Sequence, residues 1–287
     1  MLFSVDVSGS SPAPDPGLSQ PVPAEKVLAP NLRFRGETAA CDRRTGAEET
    51  AVALVHDTAT SAVMMATPAD LEDFALGFSL NERLIEDVRQ VRDLEVVSSD
   101  DGIEVRVWLT AARSVALAAR RRRQAGPTGC GLCGVDSLSE ALRSPPRVGE
   151  KMRLTAEDIH AALDALPGLQ TLGGATRAVH AAGWWTPGEG FSAVREDVGR
   201  HNALDKLAGA RARGGESAPG VVVLTSRVSV EMVQKAAVMG AEVVVAVSAP
   251  TALAIRTAAA AGMTLVAVAR QDGFEVFTCP DRLSGGA

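Results

Sequence analysis

The most regular pattern of apolar and polar residues lies in the C-terminal part of the chain. Three short apolar runs, typical of buried parallel strands, alternate there with two segments of helical spacing. The runs are Val221–Leu224, Val243–Val247 and Leu265–Val268, and the helical segments are Ser229–Met239 and Pro250–Ala261. Strands alternating with helices in this way predict successive right-handed crossovers on a parallel sheet.

The N-terminal half has the patterns of shorter strands and of two helices. Alternation and a Gly-containing turn predict strands over Thr50–Met65, Leu94–Val97 and Ile103–Leu109. A helix is predicted after Thr67-Pro68, with Thr67 as its cap and Pro68 in its first position. A second helix is predicted over Ala111–Arg123. The pattern therefore indicates a region rich in β-strands before residue 125.

The middle of the chain has the signals of two more helices and one more hairpin. A short helix is predicted from Ser137, since Ser137 and Glu140 have the spacing of a capping box. Thr155 is a good N-cap, and Pro167-Gly168 predicts the end of the helix that it begins. Val179–Trp185 and Phe191–Arg195 flank Pro187-Gly188 and predict a hairpin. Together with the C-terminal pattern, these elements predict an α/β protein.

Composition sets the boundaries of the predicted domain. The chain has 287 residues, of which 46% are hydrophobic and only 3% aromatic, with no tyrosine. Residues 1–28 are rich in Ser, Pro and Gly and are predicted to be a disordered tail. Residues 29–287 are predicted to be one domain. Its N-terminal part runs to about 125, a cysteine-bearing loop spans 126–136, and an α/β part spans 150–287.

Charge and hydropathy exclude several classes of protein. The formal charge is −6, which argues against general binding to nucleic acid. The longest apolar stretch, Ala236–Ile255, is interrupted by Gly240, Glu242 and Pro250, so we expect no membrane span. No secretory signal is recognisable at the N-terminus, and we expect a cytoplasmic protein.

The loops that follow the three predicted parallel strands are candidates for a ligand site. They are Thr225–Arg227, Ser248–Thr251 and Ala269–Gly273, and in open α/β sheets such loops meet at the ligand-binding edge. The first two lead into helix N-termini, which attract phosphate, and Arg227 and Arg270 add positive charge. Solvated loops with ordinary caps are the alternative, but three converging loops favour a nucleotide-type ligand.

Cys130 and Cys133 form a Cys-x-x-Cys pair in a glycine-rich segment that follows four arginines. Nearby positive charge favours a reactive thiolate, which can carry sulfur or cycle with a disulfide. Zinc binding is a second possibility, with Cys41 and Cys279 as further ligands if the fold brings them close. The zinc nucleobase deaminase motif is absent. A lone match to the dinucleotide-binding glycine pattern here lacks the preceding strand, and we reject it.

A second polar segment, Glu196–Lys206, predicts the start of a helix near Arg200. The residues at that start are suited to meeting an anion, but the spacing alone slightly favours an ordinary charged cap with i,i+4 pairing, such as Asp197 with His201. His180 lies on a predicted strand, where a histidine is more often a core residue than a ligand.

Taken together, these segments resemble the FdhD family of formate dehydrogenase accessory sulfurtransferases. The resemblance covers the chain without its tail. It rests on Cys130–Gly134 and Glu196–Lys206, and it is supported by Ser226–Ala236, Ser248–Ala254 and Gly262–Arg270. The string EDVGRHNALDK over residues 196–206 is its most specific part.

The resemblance implies a fold, an activity and a set of partners. The fold is a cytidine-deaminase-like α/β/α sandwich with a mixed sheet, plus an N-terminal β-rich part. Sulfur passes from a cysteine desulfurase to the molybdenum cofactor, in its bis-molybdopterin guanine dinucleotide form, and the client is formate dehydrogenase. The resemblance also implies a homodimer. A cofactor-binding chaperone without sulfur transfer and a zinc-stabilised structural domain remain alternatives.

By the matching motifs, Cys130 would carry the persulfide and Cys133 would assist it. The family's cofactor-binding stretch falls on Val268, Ala269, Arg270, Gln271, Asp272 and Gly273. This stretch overlaps the third of the strand-end loops, so the resemblance and the predicted topology indicate the same site. No resident metal is implied.

Overall fold

A computed structural model describes residues 20–35, 38–125, 143–215 and 218–284 of the chain. Its strands are β1 (Lys26–Arg35), β2 (Thr38–Ala47), β3 (Thr50–His56), β4 (Ala59–Ala66), β5 (Val91–Ser99), β6 (Gly102–Leu109), β7 (Leu154–Thr155), β8 (His180–Thr186), β9 (Gly190–Asp197), β10 (Val221–Leu224), β11 (Val243–Ala246), β12 (Thr264–Arg270), β13 (Gly273–Thr278) and β14 (Leu283–Ser284). Its helices are α1 (Leu71–Asn81), α2 (Ala111–Ala125), α3 (Ala156–Leu169), α4 (Thr171–Thr176), α5 (Arg200–Gly214), α6 (Val230–Val238) and α7 (Ala252–Ala261), with 3₁₀ turns at Val88–Gln90 and Pro280–Arg282. None of the helices among these residues is long and apolar enough to cross a membrane.

A six-stranded mixed sheet is the centre of the fold. Its strand order is β13-β12-β11-β10-β8-β9. The pairs β10–β11 and β11–β12 are parallel, as the three apolar runs predict, whereas the outer pairs are antiparallel. Both faces of β10 and β11 are fully buried, which is why these strands are apolar at every position.

Helices cover both faces of this sheet. On one face, α5, α6 and α7 pack against the side chains of Val222, Leu224, Val244 and Ala246. On the other face, α3 packs through Ile159, Ala162 and Leu166 against Val221, Val223, Val243 and Val245. The predicted mixed α/β architecture with helices on either side of the sheet is therefore confirmed.

The N-terminal β-rich part forms a smaller four-stranded sheet. Its order is β4-β3-β6-β5, and α1 packs its Phe74 and Phe78 side chains onto that sheet. The strands β1 and β2 pair with each other in a separate antiparallel ribbon. The ribbon begins at Lys26, within the stretch assigned to the tail.

Helices α1 and α5 cross at very close range. A Cβ atom added at Gly77 would lie 1.7 Å from the backbone oxygen of Asp205, and one at Gly209 would lie 1.9 Å from that of Asp73. Only glycine fits at these two positions, because real Cβ contacts are never that short. The glycine pair therefore joins the N-terminal part to the larger sheet, backbone against backbone.

Four sequence predictions differ from the structure in detail. Helix α1 begins at Leu71, and Thr67 does not cap it, because its polar groups bind elsewhere. The helix that Thr155 caps continues through Pro167 and ends at Leu169. The third parallel strand continues to Arg270, because it forms a hairpin with β13. The second parallel strand ends one residue earlier than predicted, at Ala246. The helix predicted from Ser137 lies outside the described residues.

Candidate functional site at the sheet edge

The three loops predicted to converge lie side by side at the carboxyl edge of the parallel strands. Backbone hydrogen bonds join the first loop to the second, from Val228 N–H to the Ala249 oxygen (3.3 Å) and from Thr251 N–H to the Val228 oxygen (2.9 Å). The N–H of Val268 donates to the Ser248 oxygen (3.3 Å), which joins the second loop to the third. The edge is therefore one continuous surface.

The predicted cofactor-binding residues span the end of β12, the turn that follows it and the first residue of β13. Val268 has a positive φ of 52°, and the register between the two strands shifts between Ala267 and Arg270. This bulge leaves Ala269 buried, whereas Arg270, Gln271 and Asp272 are exposed. The stretch from Val268 to Gly273 is thus a bulged hairpin at the edge, where polar side chains project into solvent.

Three arginines give this edge a positive character. Arg227 and Arg270 are exposed, and Arg200 at the start of α5 is partly buried, with a buried Nε that lacks a hydrogen bond. None of the three guanidinium groups pairs with a carboxylate among the described residues. These arginines are available to an anion at the edge. The Arg200 guanidinium also acts on His180, whose pKa is lowered by burial and further by this charge.

Asp197, at the end of β9, joins the edge to the N-terminal part. Its carboxylate lies 2.7 Å from the Nζ of Lys206, and both side chains are fully buried. The carboxylate also accepts hydrogen bonds from the N–H of Thr67 (3.0 Å) and from the Nδ2 of Asn202 (3.0 Å). The Asp197–His201 pair that the spacing suggests is therefore wrong, because the carboxylate points inward to Lys206.

A cavity of about 680 Å³ lies beside this junction, between β4, α1, α5 and α6. We call it the α5–α6 pocket. Its apolar wall is formed by Met64, Met65 and Phe78, and its polar lining consists of Glu82, Arg143, Gly199, His201, Asn202, Asp205, Glu231, Gln234 and Lys235. The pocket thus combines residues of the Glu196–Lys206 and Ser226–Ala236 motifs with residues of the N-terminal part.

Two acid–base pairs line the α5–α6 pocket. Lys235 Nζ lies 2.5 Å from the carboxylate of Asp205, which also accepts a hydrogen bond from Asn81 (2.6 Å). His201 Nδ1 lies 3.1 Å from the carboxylate of Glu231. The first pair is buried and structural, whereas the second is partly exposed at the pocket.

Cys130 and Cys133 lie outside the described residues. The described chain resumes after them at Arg143, which lines the α5–α6 pocket. Arg143 donates a hydrogen bond from Nη2 to the Asn81 oxygen (2.6 Å). Its own backbone oxygen accepts one from the Nε2 of Gln234 (2.9 Å). Arg143, ten residues after Cys133 in the chain, is therefore held at a wall of this pocket.

The two other cysteines lie on different elements, Cys41 exposed on β2 and Cys279 between β13 and the last 3₁₀ turn. In the part of the chain that the structure describes, no group of three or more His, Cys, Asp or Glu side chains is arranged to hold a metal ion.

Sequence reasoning missed the α5–α6 pocket. It singled out the Glu196–Lys206 segment but placed Glu231 and Lys235 only in a helix. No local pattern links these residues to Met64 and Met65, which are distant in the chain. One available signal was the charged residues on the inner face of a short helix. Lys235 there is only 9% exposed, and a lysine is seldom so buried unless it is paired.

The fold and the motifs at its sheet edge define a known class of protein. A sequence model described as the FdhD/NarQ family matches residues 47–284. The chain belongs to the FdhD/NarQ family, as the motifs predict. Its fold also matches a crystal structure assigned as a formate dehydrogenase accessory protein from Desulfotalea psychrophila. That match has a TM-score of 0.72 and 25% identity, and it covers 91% of this chain and 100% of the other.

The relatives within the family have a common name. The chain is 54% identical over 252 residues to the sulfur carrier protein FdhD of Agrobacterium fabrum, covering 87% of this chain and 93% of the relative. It is 49% identical over 238 residues to the protein of the same name from Cupriavidus necator, covering 83% of each. Both alignments span most of each protein.

Proposed function

We propose that this protein carries sulfur as a persulfide on Cys130, with Cys133 as the assisting thiol. Sulfur is taken from a cysteine desulfurase and given to the molybdenum cofactor in its bis-molybdopterin guanine dinucleotide form. The client enzyme is a formate dehydrogenase. The observation that carries the proposal is the continuous, arginine-rich edge of the large sheet.

The chemistry of this edge fits the cofactor as a substrate. A guanine dinucleotide carries pyrophosphate groups, and guanidinium groups bind phosphate through paired, charge-assisted hydrogen bonds. Arg200, Arg227 and Arg270 lie without carboxylate partners among the described residues. Helix α6 begins at the same edge, where its first N–H groups favour negative charge, and its N-cap Ser229 forms no side-chain cap bond.

The order of the chain supports a role for the cysteines at this site. Cys133 precedes Arg143 by ten residues, and Arg143 is anchored on Asn81 and Gln234 at the α5–α6 pocket. An extended chain spans at most about 3.6 Å per residue, so a spacing of ten residues is compatible with thiols that reach this pocket. A carrier needs such reach, because donor and acceptor cannot occupy one place.

Mass spectrometry of the intact chain tests the carrier step. After incubation with a cysteine desulfurase and cysteine, we expect the wild-type chain to gain sulfur that cyanide removes. Cys130→Ala should gain none and should fail to activate formate dehydrogenase. Cys41→Ala is the matched control, since Cys41 is exposed on β2 and should load normally. Loading and activation by Cys130→Ala would contradict the proposal, and activation without loading would favour a cofactor-binding chaperone.

A further inference from the structure

One side chain of the α5–α6 pocket has the geometry of a proton-transfer group. His201 Nδ1 faces the Glu231 carboxylate at 3.1 Å, and its side chain is 29% exposed. A carboxylate at that distance favours the tautomer with the proton on Nδ1 and leaves Nε2 as the basic nitrogen. Nε2 has no hydrogen-bond partner among the described residues, and His201 lines the pocket.

Burial and the surrounding charges together favour the neutral form of the His201 imidazole. Burial lowers the pKa of His201, the Glu231 carboxylate partly offsets this, and Lys235 and Arg200 lower it again. The charged groups that face it from the surrounding elements are Arg200 and Asp205 on α5, Glu231 and Lys235 on α6, Glu82 after α1, and Arg143. A neutral imidazole oriented by a carboxylate is the form that acts as a general base.

The lining of the pocket indicates the class of ligand. Among its described residues, no Ser, Thr or Cys side chain offers a proton for His201 to take. The proton must therefore come from a group that enters the pocket. The wall opposite the polar lining consists of two methionine side chains and a phenylalanine ring. Sulfur is polarisable and makes favourable contacts with such a surface.

We propose that His201 is the acid–base residue that takes the proton from a thiol entering the α5–α6 pocket during sulfur transfer, with Glu231 as its positioning residue. This inference rests on the proposed function. The ligand class is a thiol and the persulfide with which it exchanges sulfur.

The step balances without an added oxidant or reductant. The thiol R–SH gives its proton to Nε2, and the resulting thiolate attacks the terminal sulfur of the donor persulfide R′–S–SH. A new S–S bond forms as the old one breaks, which produces R–S–SH and R′–S⁻. The proton on Nε2 then passes to R′–S⁻, and the imidazole returns to its neutral form. The terminal sulfane sulfur has moved from one thiol to the other.

The rate at which the full chain takes up sulfur from glutathione persulfide tests this inference, measured from about pH 5 to 8 around the ordinary histidine range. His201→Asn should load sulfur about 10²-fold more slowly at neutral pH, a typical loss for a general base. It should also lose the decline in rate that the wild type shows at acid pH. His160→Asn is the matched control, because His160 packs on Phe274 on the opposite face of the sheet. It should load at the wild-type rate.

Glu231→Gln provides a second measurement that does not depend on the folding of the His201 variant. Glu231 is 58% exposed, so its replacement should leave the fold intact. Because its carboxylate raises the pKa of His201, Glu231→Gln should move the acid decline in rate to lower pH. Wild-type rates and an unchanged acid decline in both variants would overturn the role of His201 while leaving sulfur loading intact. Loading of Cys130→Ala at the wild-type rate would instead overturn the proposed function.

Discussion

The close crossing of α1 and α5 predicts a large effect from adding a single methyl group. In Gly209→Ala, the new Cβ would lie 1.9 Å from the backbone oxygen of Asp73 and 2.6 Å from its carbonyl carbon. The closest ordinary carbon–oxygen contacts are about 3.3 Å, so the helices must separate by roughly 1.4 Å. Neither backbone can rotate away as a side chain would, and the strain must spread along both helices.

The expected cost follows from two opposing effects. Overpacking of a tight interface destabilises a protein by about 1–3 kcal/mol, and a backbone clash belongs at the upper end of that range. Replacing glycine by alanine inside a helix stabilises the helix by about 1 kcal/mol, which offsets part of this cost. The free energy of unfolding of Gly209→Ala should therefore fall by about 2 kcal/mol. For a protein of this size, that corresponds to a melting temperature lowered by about 4–8 °C.

Thermal denaturation followed by far-ultraviolet circular dichroism, with urea denaturation as a check, measures this effect. Gly168→Ala is the matched control, since it lies in α3 and a Cβ there meets nothing within 4 Å. Its melting temperature should stay the same or rise slightly, because only the propensity gain applies. If Gly209→Ala and Gly168→Ala melt at the same temperature, the helices part at no cost and the reasoning is wrong.

The remaining predictions concern charged groups. Lys206→Met leaves the Asp197 carboxylate buried without its cation, and urea denaturation should show a loss of about 3–5 kcal/mol; an unchanged midpoint would contradict this. Burial lowers the pKa of His180 and of His201 in the folded protein. Below the ordinary histidine pKa of about 6.5, the unfolded chain therefore binds more protons than the folded one. Stability should therefore decline as the pH falls through that value, and a flat melting temperature would count against it. Arg270→Ala should weaken the binding of a guanine nucleotide about tenfold, as measured by calorimetry, because it removes roughly one charge-assisted hydrogen bond. An affinity equal to that of the wild type would exclude Arg270 from the site.

The parallel strands of the large sheet could be predicted from sequence because their environment is uniform. Val221–Leu224 is buried on both faces, and its bounds agree with the apolar run. Thr155 also behaves as predicted, since its capping box with Asp158 is a local interaction. Where the signal is confined to neighbouring residues, the sequence and the structure agree.

The features missed by sequence analysis depend on contacts between distant residues. Thr67-Pro68 has a good local cap signal, but the N–H of Thr67 binds Asp197, 130 residues away, and α1 begins later. The strands β1 and β2 were not predicted, since Pro30 and the run Asp42-Arg43-Arg44 are atypical of strands. The α5–α6 pocket follows from the packing of three helices, and no spacing along one segment contains that information.

The buried Asp197 carboxylate has a consequence for how the molecule comes apart. The two larger β-sheets contribute to separate hydrophobic clusters, and such an arrangement would ordinarily melt in two stages. The Asp197 carboxylate binds the backbone of Thr67 in the N-terminal part and the ammonium group of Lys206 in the other part. If either part unfolded alone, a buried charge would lose its partner. Heating should therefore give a single calorimetric peak whose van't Hoff and measured enthalpies agree.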